Sequence, residues 1–109
     1  MQRNNAYLID ILEAAKLTIE YIGNKSKEEF LKDTQCQDAV IRRFAIIGEA
    51  ARRISGEMKT TYPEVPWNEM IGMRNIMVHE YDDVDMLIVW DTIKKDIPAL
   101  ISAIEKVLQ

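Results

Sequence analysis

The sequence has little of several things that would point to well-known chemistries. It holds one cysteine, Cys36, and one histidine, His79. A lone cysteine cannot close an internal disulfide, and no Cys or Cys/His group has the spacing of a zinc site. No apolar run approaches the length of a membrane span, and the polar opening Met1-Gln-Arg-Asn-Asn5 lacks the form of a secretory leader. Basic charge is also short, with 14 Lys and Arg against 18 Asp and Glu for a net charge of −4. That balance excludes a protein that coats nucleic acid by bulk charge, so any RNA contact must be local. A reducing, cytoplasmic setting is the expectation.

The 109 residues, 48% of them hydrophobic, fit one globular domain spanning 1–109. A domain this short buries about two-thirds of its unfolded surface, so a spare apolar face would commonly be covered by a second copy. A homodimer is therefore expected.

Apolar spacing of three and four predicts helices throughout. The first runs from about Asn5 to Ile22, with Leu8, Ile11, Leu12, Ala15, Ile19 and Ile22 on its stripe and Gly23-Asn24 as its stop. Ser26 and Glu29 form a capping box before a short second helix. A long central helix should carry Val40, Phe44, Ile47, Ala51, Ile54 and Met58 without interruption, until Pro63 and Pro66 break the pattern. Trp67 to about His79 reads as the fourth helix, its Met70, Met73 and Met77 being core or interface filler. The fifth repeats Met86, Trp90, Ile93, Ile97, Leu100, Ile104 and Val107, with Pro98 expected to kink it. The predicted fold is an all-α, up-and-down bundle of about five helices.

Chemistry concentrates between Arg74 and Tyr81. Arginine offers a permanent charge and a fork of donors for phosphate oxygens, and histidine can carry or release a proton near neutral pH. On a regular helix Arg74 and His79 point about 140° apart, so they form no natural pair within one chain. Asn75 lies one turn before His79 and can orient its ring, and Arg74 and Tyr81 would share a face if the helix continued. Taken singly, these residues also have plain readings. A histidine at a helix C-terminus complements the dipole, Arg74 suits a salt bridge, and Tyr81 suits an amphipathic surface.

Taken together they resemble a known family. Arg74-Asn75-x-x-x-His79 matches the R-x-x-x-x-H motif of HEPN domains, and His79-Glu80-Tyr81 extends it to the R-x-x-x-x-H-x-Y form of HepT toxins. Phe44-Ala-Ile-Ile-Gly-Glu49-Ala50, Pro66-Trp67 and the helix from Val89-Trp90 to Leu100 resemble the same family in order, over nearly the whole chain. The resemblance implies a homodimer in which two motif helices face each other across a cleft. It implies a metal-independent endoribonuclease, without a cofactor, in which Arg74 and His79 are catalytic and Asn75 and Glu49 supporting. It also implies an MntA-like minimal nucleotidyltransferase antitoxin that neutralises the toxin by adding AMP to Tyr81. The alternative is a non-catalytic HEPN bundle that binds nucleotide or substrate for such a nucleotidyltransferase.

Flanking residues carry less information. Arg42, Glu49 and Arg53 fall on one face of the long helix, either an RNA-contacting face or a solvated one with internal ion pairs. Asp82, Asp83 and Asp85 lack the ligand pattern of a calcium loop, and Asp83 as a helix N-cap explains them more economically.

Overall fold

The computed structural model describes residues 2–79 and 85–109, with side chains described for 3–74 and 85–109. Among these residues the chain is helical and contains no strand. The helices are α1 (Gln2–Ile22), α2 (Lys27–Lys32), α3 (Thr34–Arg53), α4 (Gly56–Thr61), α5 (Trp67–His79), α6 (Met86–Asp91) and α7 (Ile97–Leu108), with a π-helical turn, Thr92–Asp96, joining the last two. Helix α1 lies against α3 and α7, and α3 lies against α1 and α5. Helix α3 therefore stands at the centre of the bundle, with α5 docked on it.

The apolar stripes explain this arrangement, with one shift. Leu8, Ile11, Ala15 and Ile22 of α1 are buried, but Ile19 is exposed and its neighbour Thr18 takes the inward place. The step from Ala15 to Thr18 to Ile22 keeps the spacing of three and four. Thr18 tolerates burial because its hydroxyl donates to the carbonyl of Ala14 at 3.0 Å. Val40, Phe44, Ile47 and Ala51 of α3 meet Ile93, Ile97, Leu100 and Ile104 in one continuous core. Phe30 of α2 is fully buried, and its ring centroid lies 5.5 Å from that of Trp90 of α6.

Local signals set the boundaries. The capping box of α2 forms as its sequence suggests: Ser26 Oγ accepts from the Glu29 amide at 3.1 Å and Glu29 Oε1 accepts from the Ser26 amide at 2.8 Å. Hydrogen bonds from Ser26, that of its backbone amide first and that of its side chain second, hold the Glu29 carboxyl below its ordinary pKa. Cys36 is buried, and desolvation pushes its thiol up, away from the thiolate form that a nucleophile needs.

The central helix is shorter than its apolar pattern suggests. It ends at Arg53, where Ile54 turns extended and Ser55 caps a separate α4 by accepting from the Met58 amide at 3.1 Å. The break is fixed from outside the segment. Asn4, buried at the start of α1, donates from Nδ2 to Ser55 Oγ at 3.0 Å and accepts the Ser55 amide on Oδ1 at 3.1 Å. Beyond α4, the Trp67 indole N–H donates to the Tyr62 carbonyl at 2.9 Å and pins the proline-containing loop that leads into α5.

Pro98 produces a π turn in place of a break. It sits in the first turn of α7, where it lacks an amide hydrogen and its ring crowds the carbonyl four residues back, that of Lys94. Upstream, the Ile97 amide donates to the carbonyl of Thr92, five residues back, and the widened turn carries the helix through.

Helices α3 and α5 approach closely at Gly48. A Cβ placed on Gly48 would lie 2.6 Å from Arg74 Cβ and 2.7 Å from its backbone nitrogen. Only hydrogen fits there, which accounts for a glycine inside a helix where it costs about 1 kcal/mol against alanine.

Two stability predictions follow from these contacts. Gly48→Ala should destabilise by about 1–3 kcal/mol through overpacking, in spite of alanine's better helix propensity, and urea unfolding at unchanged m-value measures it. A neutral or stabilised variant would contradict the close approach. Asn4→Ala leaves the Ser55 amide without its partner and should cost about 1–3 kcal/mol, read from the thermal midpoint. An unshifted midpoint would show that water replaces the tie.

Candidate active site

The site grows out of the α3–α5 contact. Glycine at 48 lets the α5 backbone sit directly on α3 at Arg74, and the neighbouring Glu49 then projects beside the arginine. Arg74 Nε donates to Glu49 Oε1 at 3.4 Å. The contact is long and both side chains are partly open to solvent, 33% for Arg74 and 44% for Glu49. Screening at such exposure leaves the pair worth well under about 1 kcal/mol, so orientation is its main effect. Glu49 engages one edge of the guanidinium and leaves the terminal nitrogens outside this contact. A guanidinium so held, half-exposed at a helix seam, can offer a fork of donors to a phosphate.

Two of the residues singled out in the sequence, Arg74 and Glu49, are thus brought together across two helices. Helix α5 continues as regular α-helix to His79, so the register linking Arg74, Asn75 and His79 holds in the backbone. The side chains of Asn75 and His79 lie outside the described residues, as does the whole of Tyr81. Arg42 and Arg53 are both exposed on α3, as expected of that face. The ion pair of Glu49 runs to Arg74 on α5 and not to an arginine of its own face.

The acidic cluster needs a correction. The N-cap of α6 is Asp85, whose Oδ1 accepts from the Leu87 amide at 2.9 Å, and not Asp83. Asp82 and Asp83 themselves lie outside the described residues. Capping needs the residue directly before the first helical turn, and since α6 starts at Met86 that place falls to Asp85.

Gly48 is the site residue that sequence reasoning passed over. The signal was available: a glycine inside a strongly periodic helix, next to a candidate site residue, marks a close backbone approach.

Known proteins resemble this chain along most of its length. Residues 11–107 match the family described as ribonuclease HepT-like. A Thermococcus cleftensis protein named "Probable ribonuclease HepT" is 45% identical over 100 residues, covering 92% of this chain and 91% of the relative. A Methanocaldococcus jannaschii protein named as a "putative RNase" is 40% identical over 100 residues, 92% of each chain. One from Caldanaerobacter subterraneus, named in the same way, is 38% identical over 109 residues, which is 100% of this chain and 97% of the relative. No solved structure matches. With the helical bundle and the Arg74 site in place, the chain belongs to the HepT-like ribonuclease family of HEPN proteins.

Proposed function

We propose that this protein is the toxin of a type VII-like toxin–antitoxin system, a metal-independent endoribonuclease that works as a homodimer. The observation that carries the reading is Arg74, fixed at the Gly48 seam and oriented by Glu49, on the same helix as the only histidine of a HepT-like chain.

In the proposed reaction, RNA lies in a cleft between two motif helices. One His79 removes the proton from a ribose 2′-hydroxyl, whose oxygen attacks the adjacent phosphorus. Arg74 stabilises the charge that builds on the phosphate oxygens. The His79 of the second copy protonates the departing 5′-oxygen, and the products are a 2′,3′-cyclic phosphate and a 5′-hydroxyl. The divergence of Arg74 and His79 on one helix suits a site assembled from two chains. Asn75, one turn before His79, supports the imidazole.

An MntA-like minimal nucleotidyltransferase would neutralise the toxin by adding AMP to Tyr81. Each AMP brings a charged phosphate and bulk to the motif, which opposes RNA binding there.

Cleavage of a single-stranded RNA by purified protein tests the reading. His79→Ala should lower the rate about 10²–10⁴-fold and Arg74→Ala about 10²–10³-fold, with wild-type activity unchanged by a chelator. An RNA carrying 2′-deoxyribose at the cut site should stay intact. Cutting of that substrate would exclude the mechanism, and intact RNA with folded wild-type protein would favour the non-catalytic binding bundle.

A further inference from the structure

A second basic feature is built from residues outside the motif. Arg3, Asn4 and Tyr7 of α1 meet Arg53, Ser55 and Glu57 at the α3–α4 corner and line an open cleft of about 400 Å³. Arg3 and Tyr7 are one turn apart on α1, and both arginines are exposed. Among the described residues neither arginine takes part in an ion pair. Two guanidinium groups face one carboxylate, Glu57, so the cleft is net positive in a protein whose overall charge is −4. Its floor is stiff: the Asn4 amide is committed in both directions to Ser55, which in turn caps α4.

We infer that this cleft is a subsite for single-stranded RNA, in which Arg3 and Arg53 hold a backbone phosphate and Tyr7 offers a face for the adjoining base. Arginines with no ion pair among the described residues, beside a half-buried aromatic ring, are the combination that binds a single strand without reading its sequence. Position favours RNA over a free anion. Arg53 is one helical turn beyond Glu49 on α3, a rise of about 6 Å, so the cleft adjoins the Glu49–Arg74 pair on the scale of one nucleotide. A strand cut at Arg74 would run on into it. The inference rests on the ribonuclease reading for its physiological meaning, but RNA binding by the cleft can be measured without cleavage.

The experiment uses the full chain carrying His79→Ala, a fluorescein-labelled single-stranded RNA of about twelve nucleotides, and anisotropy titrations at several salt concentrations. Adding Arg3→Ala and Arg53→Ala together should weaken binding about ten- to thirtyfold and reduce the slope of log affinity against log salt by about 0.7, the share of one neutralised phosphate on a single strand. Glu57→Gln should tighten binding. Lys27→Ala with Lys32→Ala removes the same charge from α2, at the far end of α1 and about 30 Å away, and should change the slope far less. Circular dichroism confirms that each variant is folded. The inference is overturned if the arginine pair leaves affinity and slope unchanged, if the lysine pair has an equal effect, or if the RNA does not bind at all. Cleavage by the wild type is scored in parallel: binding through the cleft without cleavage would sink the ribonuclease reading and keep the subsite.

Discussion

The seam between α3 and α5 at Gly48 and Arg74 is the constraint on which the rest of the structure depends. It sets how closely the motif-bearing helix sits on the centre of the bundle, and it does so through steric exclusion. Backbone packed on backbone leaves little freedom to slide, because interiors at crystal-like density resist small displacements. The arginine therefore takes its position from the scaffold, with its root fixed and its tip steered by the neighbouring carboxylate. A group that must meet a developing charge needs such pre-placement, since reorganisation during the reaction would cost part of the stabilisation it offers.

This placement divides labour between the two sides of α3. The inward side, through Val40, Phe44, Ile47 and Ala51, joins the core and supplies stability. The outward side carries the exposed Arg42 and Arg53 and the partly exposed Glu49 that steers Arg74, and these contribute little to stability. An acidic protein can in this way present cationic groups at chosen points while its remaining surface discourages indiscriminate attachment to nucleic acid.

Much of the architecture was legible in the sequence because periodicity and capping are local. The α2 capping box, the span of α5 and the buried series Trp90, Ile93, Ile97, Leu100 and Ile104 depend on residues a few positions apart. The misses had distant causes. The break after Arg53 is held by Asn4, and the Gly48 requirement comes from Arg74, neither of which a window along α3 contains. Thr18 displaced Ile19 because a hydroxyl satisfied within its own helix can occupy an apolar position. At Pro98 the sequence announced a disturbance but not its form, since a π turn and a kink both relieve the same clash. At the site, residue types and spacing were enough to nominate Arg74, whereas its partner on another helix became legible only through the resemblance.

The tie between Asn4 and Ser55 joins residues 51 positions apart in the chain. Its two hydrogen bonds cannot nucleate anything, because the entropy of closing so long a loop must first be met by the docking of α1 on α3. The corner it secures exists only once α1 has docked on α3. A chain still emerging from the ribosome, or one that has opened locally, has the arginines of that corner but not their juxtaposition, so any affinity they share is a property of the completed fold alone.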